Sequence, residues 1–193
     1  MRFILNNPWL WWLILAVPGI AMMHGYFGGR LDAMEMLHPT GEWAVRFMVL
    51  AMMIGPLASL FGHGQRIRWL LARRRWLGVA AFLYALAHLV FYVIDMGTLD
   101  DILGEITEHA IWTGWAALLL MAVPGLTSSD RAMHALRQGW KQCQRLAYPA
   151  ALLTAAHWVL LEMEWGAAIV HFAPLMVLNL IRMFRPGLKE SIT

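Results

Sequence analysis

The sequence of 193 residues contains little charge and a single cysteine, Cys143. One cysteine excludes a disulfide framework and a thiolate metal cluster, and the CxxCH sequence that attaches c-type haem is absent. Charged residues make up only 14% of the chain and apolar residues 60%, whereas a soluble domain is about a quarter charged and about half apolar. This balance excludes an ordinary water-soluble fold and a disordered chain, and it is typical of a protein embedded in a membrane.

Stretches without any charged residue have the length of membrane spans. A transmembrane helix needs about 20 mainly apolar residues, with a range of roughly 17 to 25. Six uncharged windows approach or exceed this length, at residues 3–29, 47–65, 76–94, 109–129, 146–161 and 165–181. The fifth window has 16 residues and is the shortest. We therefore predict an all-α fold in which residues 1–193 form a single domain, an integral membrane bundle of six transmembrane helices.

The charged residues divide between the two ends of the predicted helices. Of the 15 basic residues, 13 lie at one set of ends, namely those in segments 66–75 and 131–145 together with Arg2, Arg182, Arg185 and Lys189. Ten of the 12 acidic residues lie at the opposite ends. The positive-inside rule then predicts a multi-pass protein of the bacterial inner membrane with both termini in the cytoplasm. We interpret the arginine cluster at 73–75 as part of this asymmetry, so the expected partner is the lipid bilayer and no nucleic acid.

Three of the eight histidines lie inside predicted spans. His38 and His63 are assigned to loops. His88, His157 and His171 fall within spans three, five and six, where an ionisable side chain is costly and is therefore a functional candidate. His171 could line a cofactor, bind a quinone or pack in the core, and we favour packing.

His88 and His157 are predicted to lie at the same depth in the membrane. His88 comes 13 residues after Arg75, and His157 comes 12 residues after Arg145. At about 1.5 Å per residue, both imidazoles lie about 18–20 Å from the basic ends of their helices. Two imidazoles on different helices at one height could ligate both faces of a haem iron. The alternative is a pair of core histidines that bond to backbone carbonyls, and the residues alone leave both interpretations open.

Several segments resemble the ferric-reductase-like transmembrane family. They are TGEWAVRFMVLAMMIGPL, RRRWLGVAAFLYALAHLVFY, LTSS and GWKQCQRLAYPAALLTAAHW, and they extend from about His38 to His157. The closest branch comprises the haem-binding membrane subunits of periplasmic methionine sulfoxide reductase systems. The resemblance implies a b-type haem held by His88 and His157, and a periplasmic redox protein as partner.

The sequence departs from this family at a second ligand position. The family often has another histidine 13 residues before the span-five ligand, but this chain has Gln144 there, and Arg74 stands at the opposing position in span three. Neither an amide nor a guanidinium is a normal ligand of haem iron. We therefore expect one haem b per chain, with Arg74 and Gln144 as secondary site residues that could hold a quinone head group or a lipid phosphate.

The expected function is electron transfer across the membrane. The sequence contains no Gly-rich dinucleotide fingerprint after a strand, so we expect an oxidoreductase subunit without its own substrate or dinucleotide domain. Electrons would come from quinol or a cytosolic flavoprotein, with quinone or FMN as a second candidate cofactor. One alternative is an accessory subunit that only packs in a larger complex. The other is a metal transporter, suggested by histidine and methionine near the acidic ends.

Overall fold

The computed structural model describes residues 7–163 and 165–184, and all regular secondary structure in these ranges is helical. The helices in chain order are α1 (Pro8–Phe27), α2 (Ala33–Phe61), α3 (Gln65–Met96), α4 (Leu99–Glu105), α5 (His109–Leu126), α6 (Asp130–Leu136), α7 (Gln138–Arg145), α8 (Ala147–Glu162) and α9 (Trp165–Phe184). The prediction of an all-α fold is confirmed. Arg2, Arg185, Lys189 and both chain termini lie outside the described residues.

Five helices, α1, α2, α3, α5 and α9, are long and apolar enough to cross a membrane. They correspond to five of the six predicted windows and give the chain the build of a multi-pass membrane protein. The remaining window coincides with α8, which has 16 residues and is shorter than the other five.

Helix α2 begins at Ala33, well before its uncharged window, which starts only after Arg46. Inside α2, the Arg46 guanidinium donates to Glu42 at 2.5 Å and lies 4.7 Å from the centre of the Trp43 ring. The ion pair lets both charged residues remain in a helix whose next turns are apolar, because neither charge is left unpaired.

The start of α2 is fixed by a capping box. The Asp32 side chain accepts from the backbone N–H of Glu35, and the Glu35 side chain accepts from the backbone N–H of Asp32. The helix is therefore already formed at His38, so the assignment of His38 to a loop is wrong. A search for charge-free windows misses the start of such a helix, because the capping residues are polar or charged.

Helix α2 is the centre of the bundle. Its most extensive packing is against α3, while α5 packs mainly on α8, and α9 packs on α2. Small and apolar side chains of several helices fill this interface, including Ala44, Met48, Ala80, Ala81 and Ala150. Burial of such side chains contributes about 25 cal/mol per Å² of apolar surface.

A tyrosine hydroxyl joins α1 to α3 beside Pro18. In an uninterrupted helix, the N–H of Gly19 would donate to the carbonyl of Leu15. Here the N–H of Gly19 donates to the Tyr84 hydroxyl at 2.6 Å, and that hydroxyl donates to the carbonyl of Leu15 at 2.9 Å. The hydroxyl is thus inserted into the hydrogen-bond ladder, one of the recognised causes of a local helix distortion.

The bundle has two chemically different ends. At the acidic end, α2 begins, α3 ends, and the side chains include Asp32, Asp95, Asp101 and Glu162. At the basic end, α3 begins, α5 ends, and the side chains include Arg66, Arg74, Arg131, Lys141 and Arg145. The division of charge read from the sequence therefore coincides with the two ends of the helix bundle.

Candidate functional site

A cavity of about 440 Å³, here called the acidic-end cavity, lies between α2, α3, α5 and α8. Most of its lining is apolar, and it includes the side chains of His88 on α3 and His157 on α8. Its volume falls within the range of roughly 300–1,000 Å³ that is usual for cofactor and ligand sites. The cavity therefore combines the room and the apolar surface that a buried cofactor requires.

The structure brings the rings of His88 and His157 together. Their centres lie 6.2 Å apart, and their planes are nearly perpendicular at 87°. A metal bound by two imidazoles, each at about 2.0 Å, places the ring centres roughly 6 Å apart. The spacing therefore fits two histidine ligands of one metal.

Both imidazoles are oriented by backbone carbonyls of the facing helices. His88 Nδ1 lies 2.9 Å from the carbonyl oxygen of Leu37 on α2, and His157 Nδ1 lies 2.6 Å from that of Ala110 on α5. A carbonyl oxygen only accepts, so each Nδ1 carries the hydrogen and donates it. In a neutral ring this leaves the lone pair on Nε2, which is the arrangement of a metal-ligating histidine.

Two glycines make room for these rings. A Cβ atom at Gly114 on α5 would lie 2.7 Å from Cε1 of His157, and one at Gly41 on α2 would lie 3.2 Å from Nδ1 of His88. Any larger residue at position 114 would therefore displace the imidazole. The sequence analysis did not single out either glycine, although a glycine inside an apolar helix often marks a close approach.

Polar side chains close the acidic end of the cavity. His38 Nδ1 lies 2.7 Å from Glu162 Oε1, and the indole N–H of Trp158 donates to the other oxygen of Glu162 at 2.6 Å. These three residues line the cavity, and they connect α2 to α8. The exposed histidine that the sequence placed in a loop is thus part of the cavity wall.

His171 lies behind the cavity wall and does not line it. Its Nδ1 donates to the carbonyl of Ala167 at 2.8 Å, and its Nε2 lies 3.4 Å from Glu42. Its ring packs against Trp158 with centres 4.9 Å apart. Both ring nitrogens therefore face protein groups on or beside α9.

A second cavity of about 780 Å³, here called the basic-end cavity, contains Arg74 and Gln144. Arg74 Nε donates to the carbonyl of Ala51 at 3.1 Å, and Gln144 Nε2 donates to the carbonyl of Pro124 at 3.2 Å. The structure thus brings the two predicted secondary residues to one site.

The two cavities share a wall. Met48 of α2 and Met121 of α5 line both of them. Within residues 7–163 and 165–184, no group of three or more His, Cys, Asp or Glu side chains is placed to hold a metal ion. Haem needs only two protein ligands, and two is the number that the acidic-end cavity offers.

Comparison with known proteins agrees with this geometry. The model of the family described as "Ferric reductase like transmembrane component" matches residues 40–155, well over half of the chain. The chain belongs to the ferric-reductase-like transmembrane family. The match includes His88 and ends two residues before His157.

Three relatives share one name, protein-methionine-sulfoxide reductase heme-binding subunit MsrQ. The protein of Brucella anthropi is 33% identical over 190 residues, which cover 93% of this chain and 84% of the relative. That of Brucella ovis is 31% identical over 193 residues, covering 95% and 86%. That of Xanthomonas oryzae pv. oryzae is 37% identical over 134 residues, covering 67% and 60%. Two of these relatives, both named for haem binding, are thus similar to almost the whole chain.

Proposed function

We propose that this chain is a membrane electron-transfer subunit that holds one b-type haem between His88 and His157. The observation that carries the proposal is the pair of imidazoles 6.2 Å apart in one cavity, each with Nδ1 committed to a backbone carbonyl. The names of the relatives, which describe haem-binding subunits, support the same cofactor. When bound, the haem iron supplies the ability to accept and release one electron.

The chain's own residues would bind, orient and enclose this cofactor. His88 and His157 would offer Nε2 to the iron, while the carbonyls of Leu37 and Ala110 hold the two rings in place. The apolar walls contributed by residues such as Val45, Leu89 and Leu118 would exclude water. Exclusion of water lowers the local dielectric constant and so tunes the iron potential.

We infer a six-span topology in which α8 is the sixth span. Helix α8 has 16 residues, close to the lower limit of roughly 17 for a span, and a slightly thinned bilayer can accommodate it. The charge asymmetry supports placing the basic end and both termini in the cytoplasm of the bacterial inner membrane. The acidic-end cavity would then face the periplasm.

Electrons would enter from the basic end and leave from the acidic end. We propose quinol or a cytosolic flavoprotein as the donor, so that quinone or FMN is the second cofactor of the pathway. The acceptor would be a periplasmic methionine sulfoxide reductase subunit, as the names of the relatives suggest. The acidic groups at that end, such as Asp95 and Asp101, offer a basic partner a complementary surface.

Absorbance spectroscopy of the purified chain, together with haem extraction, tests the proposal. Wild type should show a b-type spectrum that changes on reduction, with about one haem per chain. His88→Ala and His157→Ala should each lose it, because either substitution opens a buried iron site. His171→Ala is the matched control and should keep it, since His171 does not line the cavity.

A chain without haem after expression with sufficient haem supply would contradict the proposal and favour the accessory role. Haem retained in both ligand variants would show that other residues ligate the iron. Reaction of an impermeant thiol reagent, added outside intact cells, with a cysteine introduced at Ser129 would contradict the topology.

A further inference from the structure

The basic-end cavity has an excess of positive charge. Its lining contains five cationic side chains and no carboxylate; the cations are Arg74, Arg75, Lys141, Arg145 and Arg182. Arg75 pairs with Asp130, which lies outside the lining. In the part of the chain that the structure describes, no salt bridge joins the other four cations to an acidic group. Such a concentration of one sign in a concave site attracts an anion.

Most of the remaining lining is apolar and belongs to the spanning helices. It includes Met48, Ala51, Met52, Leu71, Ala81 and Met121. A free inorganic ion gains nothing from this surface, whereas an acyl chain buries apolar area against it. The ligand that matches both parts is therefore an amphiphile with an anionic head.

Arg74 lies where the cationic and apolar parts of the lining meet. Its Nε is held by the carbonyl of Ala51, so the guanidinium has a defined place beside α2. Lys141 and Arg145 stand four residues apart on α7, so both face the same site. The cationic side chains thus come from three helices, α3, α7 and α9, and meet in the lining of this cavity.

We propose that the basic-end cavity binds an anionic phospholipid. Its phosphate lies among Arg74, Lys141 and Arg145, and an acyl chain lies along Met52 and Leu71. Basic pockets between transmembrane helices bind lipid head groups in this way. The site goes beyond the proposed electron transfer, because it requires neither haem nor a redox partner.

Lipid retention by the purified chain tests this site. We would wash the full chain extensively in detergent, quantify bound phospholipid by native mass spectrometry, and then titrate it with phosphatidylglycerol or phosphatidylcholine. Lys141→Gln combined with Arg145→Gln removes two lining charges, both exposed and without a structural hydrogen bond among the described residues. Arg66→Gln combined with Arg68→Gln is the matched control, since these exposed arginines lie at the same end but outside the lining.

Wild type and the control pair should retain about one anionic phospholipid, and the Lys141/Arg145 pair should bind it roughly tenfold or more weakly. Equal weakening by both pairs would overturn the proposal, because it would indicate a diffuse charge effect. Equal affinity for phosphatidylcholine would overturn it as well. Displacement by millimolar inorganic phosphate, or by FMN, would show that a soluble anion occupies the site instead of a lipid.

A second inference concerns two threonines that stand behind the candidate ligands. On α2, the hydroxyl of Thr40 donates to the carbonyls of Met36 and Leu37, at 2.7 and 3.0 Å, and its oxygen also lies 3.4 Å from His88 Nδ1. The Leu37 carbonyl is the one that accepts from His88. Thr40 is almost completely buried, with 1% of its surface exposed.

The same arrangement recurs on α5. The hydroxyl of Thr113 donates to the carbonyls of His109 and Ala110, at 2.9 and 2.7 Å. The Ala110 carbonyl is the one that accepts from His157, and Thr113 is buried as well. On both helices the threonine is followed directly by the glycine that packs on the ring.

These contacts form one repeated unit of three parts. A carbonyl orients the histidine, a threonine three residues later shares that carbonyl, and the next residue, a glycine, admits the ring. A hydroxyl that donates to a carbonyl occupies part of its acceptor capacity, so the histidine N–H bonds to it less strongly. A weaker bond at Nδ1 makes Nε2 a weaker electron donor.

We infer that Thr40 and Thr113 are positioning residues that raise the reduction potential of the bound iron. This inference rests on the proposed haem site. Removal of either hydroxyl strengthens the bond from histidine to the carbonyl and favours the oxidised iron. The effect should be larger at Thr113, whose shorter bond goes to the shared carbonyl.

Redox titration of the haem-loaded chain tests the two threonines. Thr113→Val should lower the ratio of reduced to oxidised iron roughly threefold at a fixed potential, equivalent to about 30 mV at 59 mV per tenfold change. Thr40→Val should lower this ratio as well, but by a smaller factor. Thr154→Val is the matched control. Thr154 lines the cavity and likewise donates to a helix carbonyl, that of Ala150, but this carbonyl orients no histidine.

Haem content separates this inference from the function on which it rests. If wild type binds no haem, the proposed function fails. If wild type and all three valine variants bind one haem and titrate identically, only the role of the threonines is wrong. An equal shift in Thr154→Val would also overturn it, since the cause would then be cavity polarity.

Discussion

The two cavities of this bundle share four helices yet present opposite chemistry. Helices α2, α3, α5 and α8 contribute to both, and Met48 and Met121 lie between them. The acidic-end cavity offers the imidazoles of α3 and α8, whereas the basic-end cavity offers a guanidinium on α3 and an amide on α7. A nitrogen lone pair can ligate iron, while a guanidinium has only donors. The ligand chemistry of each cavity therefore depends on a few side chains, and α7 and α9 supply several of those at the basic end.

The cavities also differ in how their polar groups are paired. At the acidic end, Glu162 is bonded to both His38 and Trp158. At the basic end, four lining cations have no acidic partner among the described residues. Besides the two Nε2 atoms, the buried Tyr92 hydroxyl of the first cavity has no hydrogen-bond partner among the described residues. The second cavity carries an excess of positive charge, which an external anion would neutralise.

The largest effect is expected from a single methyl group in the acidic-end cavity. Gly114→Ala places a Cβ 2.7 Å from the His157 ring, so the ring must move away from its carbonyl partner and haem content should fall severalfold. The same change at Gly78, in the basic-end cavity, meets nothing within 4 Å and should leave haem content unchanged. Haem per chain in the two purified variants is the measurement. Equal haem in both would mean that the ring tolerates displacement.

The second-largest effect on haem content is expected when the basic-end cavity is given the histidines of the acidic-end cavity. Gln144→His alone should not add a stable six-coordinate haem, because Arg74 remains opposite and cannot ligate iron. Arg74→His combined with Gln144→His supplies two imidazoles, and haem should rise from about one toward two per chain. Quantification of haem against protein tests this. A second haem in wild type would show that side chains other than Arg74 and Gln144 can ligate iron at the basic end.

The apolar composition was sufficient to predict the helical class, and the depth of the histidines along their helices was sufficient to pair His88 with His157. Uncharged windows locate five candidate spans because apolar length is itself the physical requirement for crossing a bilayer. Counting residues from the basic ends places the two imidazoles at one height because helices rise regularly. Both inferences depend on properties that are local along the chain.

The partners of these histidines could not be predicted in the same way. The carbonyls of Leu37 and Ala110 belong to other helices, and backbone groups leave no signature in side-chain composition. The paired Thr-Gly units were overlooked because each consists of only two residues and they lie on different helices. The ion pair between Glu42 and Arg46 also concealed the first part of α2, since a search for uncharged windows stops at charge.

A smaller effect is expected in the scaffold that both cavities share. Tyr84→Phe removes the hydroxyl inserted between Gly19 and Leu15, and it should lower the free energy of unfolding by about 1–3 kcal/mol. Haem content should be unchanged, because Tyr84 lines neither cavity. Thermal unfolding in detergent measures the first quantity, and Tyr148→Phe, whose exposed hydroxyl has no intramolecular partner in the described structure, is the control. Loss of haem in Tyr84→Phe would link α1 to the ligand site.

The smallest effect concerns Asp130, the acidic residue that pairs with a cation of the basic-end cavity. The Arg75 guanidinium donates to Asp130 at 2.5 Å, and this bond holds the pKa of Asp130 below its ordinary value of 3.8. A depressed carboxyl pKa stabilises the folded state above the unfolded pKa, and the contribution is lost as the pH falls through the lower folded value. Asp130→Asn should therefore unfold at a slightly lower temperature than wild type at pH values above about 4, and the difference should vanish on further acidification. Because Asp130 is exposed, high salt should also reduce the difference. Melting curves at two pH values and two salt concentrations test this, and a difference that grows with acid or salt would contradict the pairing.

Asp130→Asn also frees Arg75, so phosphatidylglycerol should bind slightly more tightly, and the contrast between the two cavities should increase.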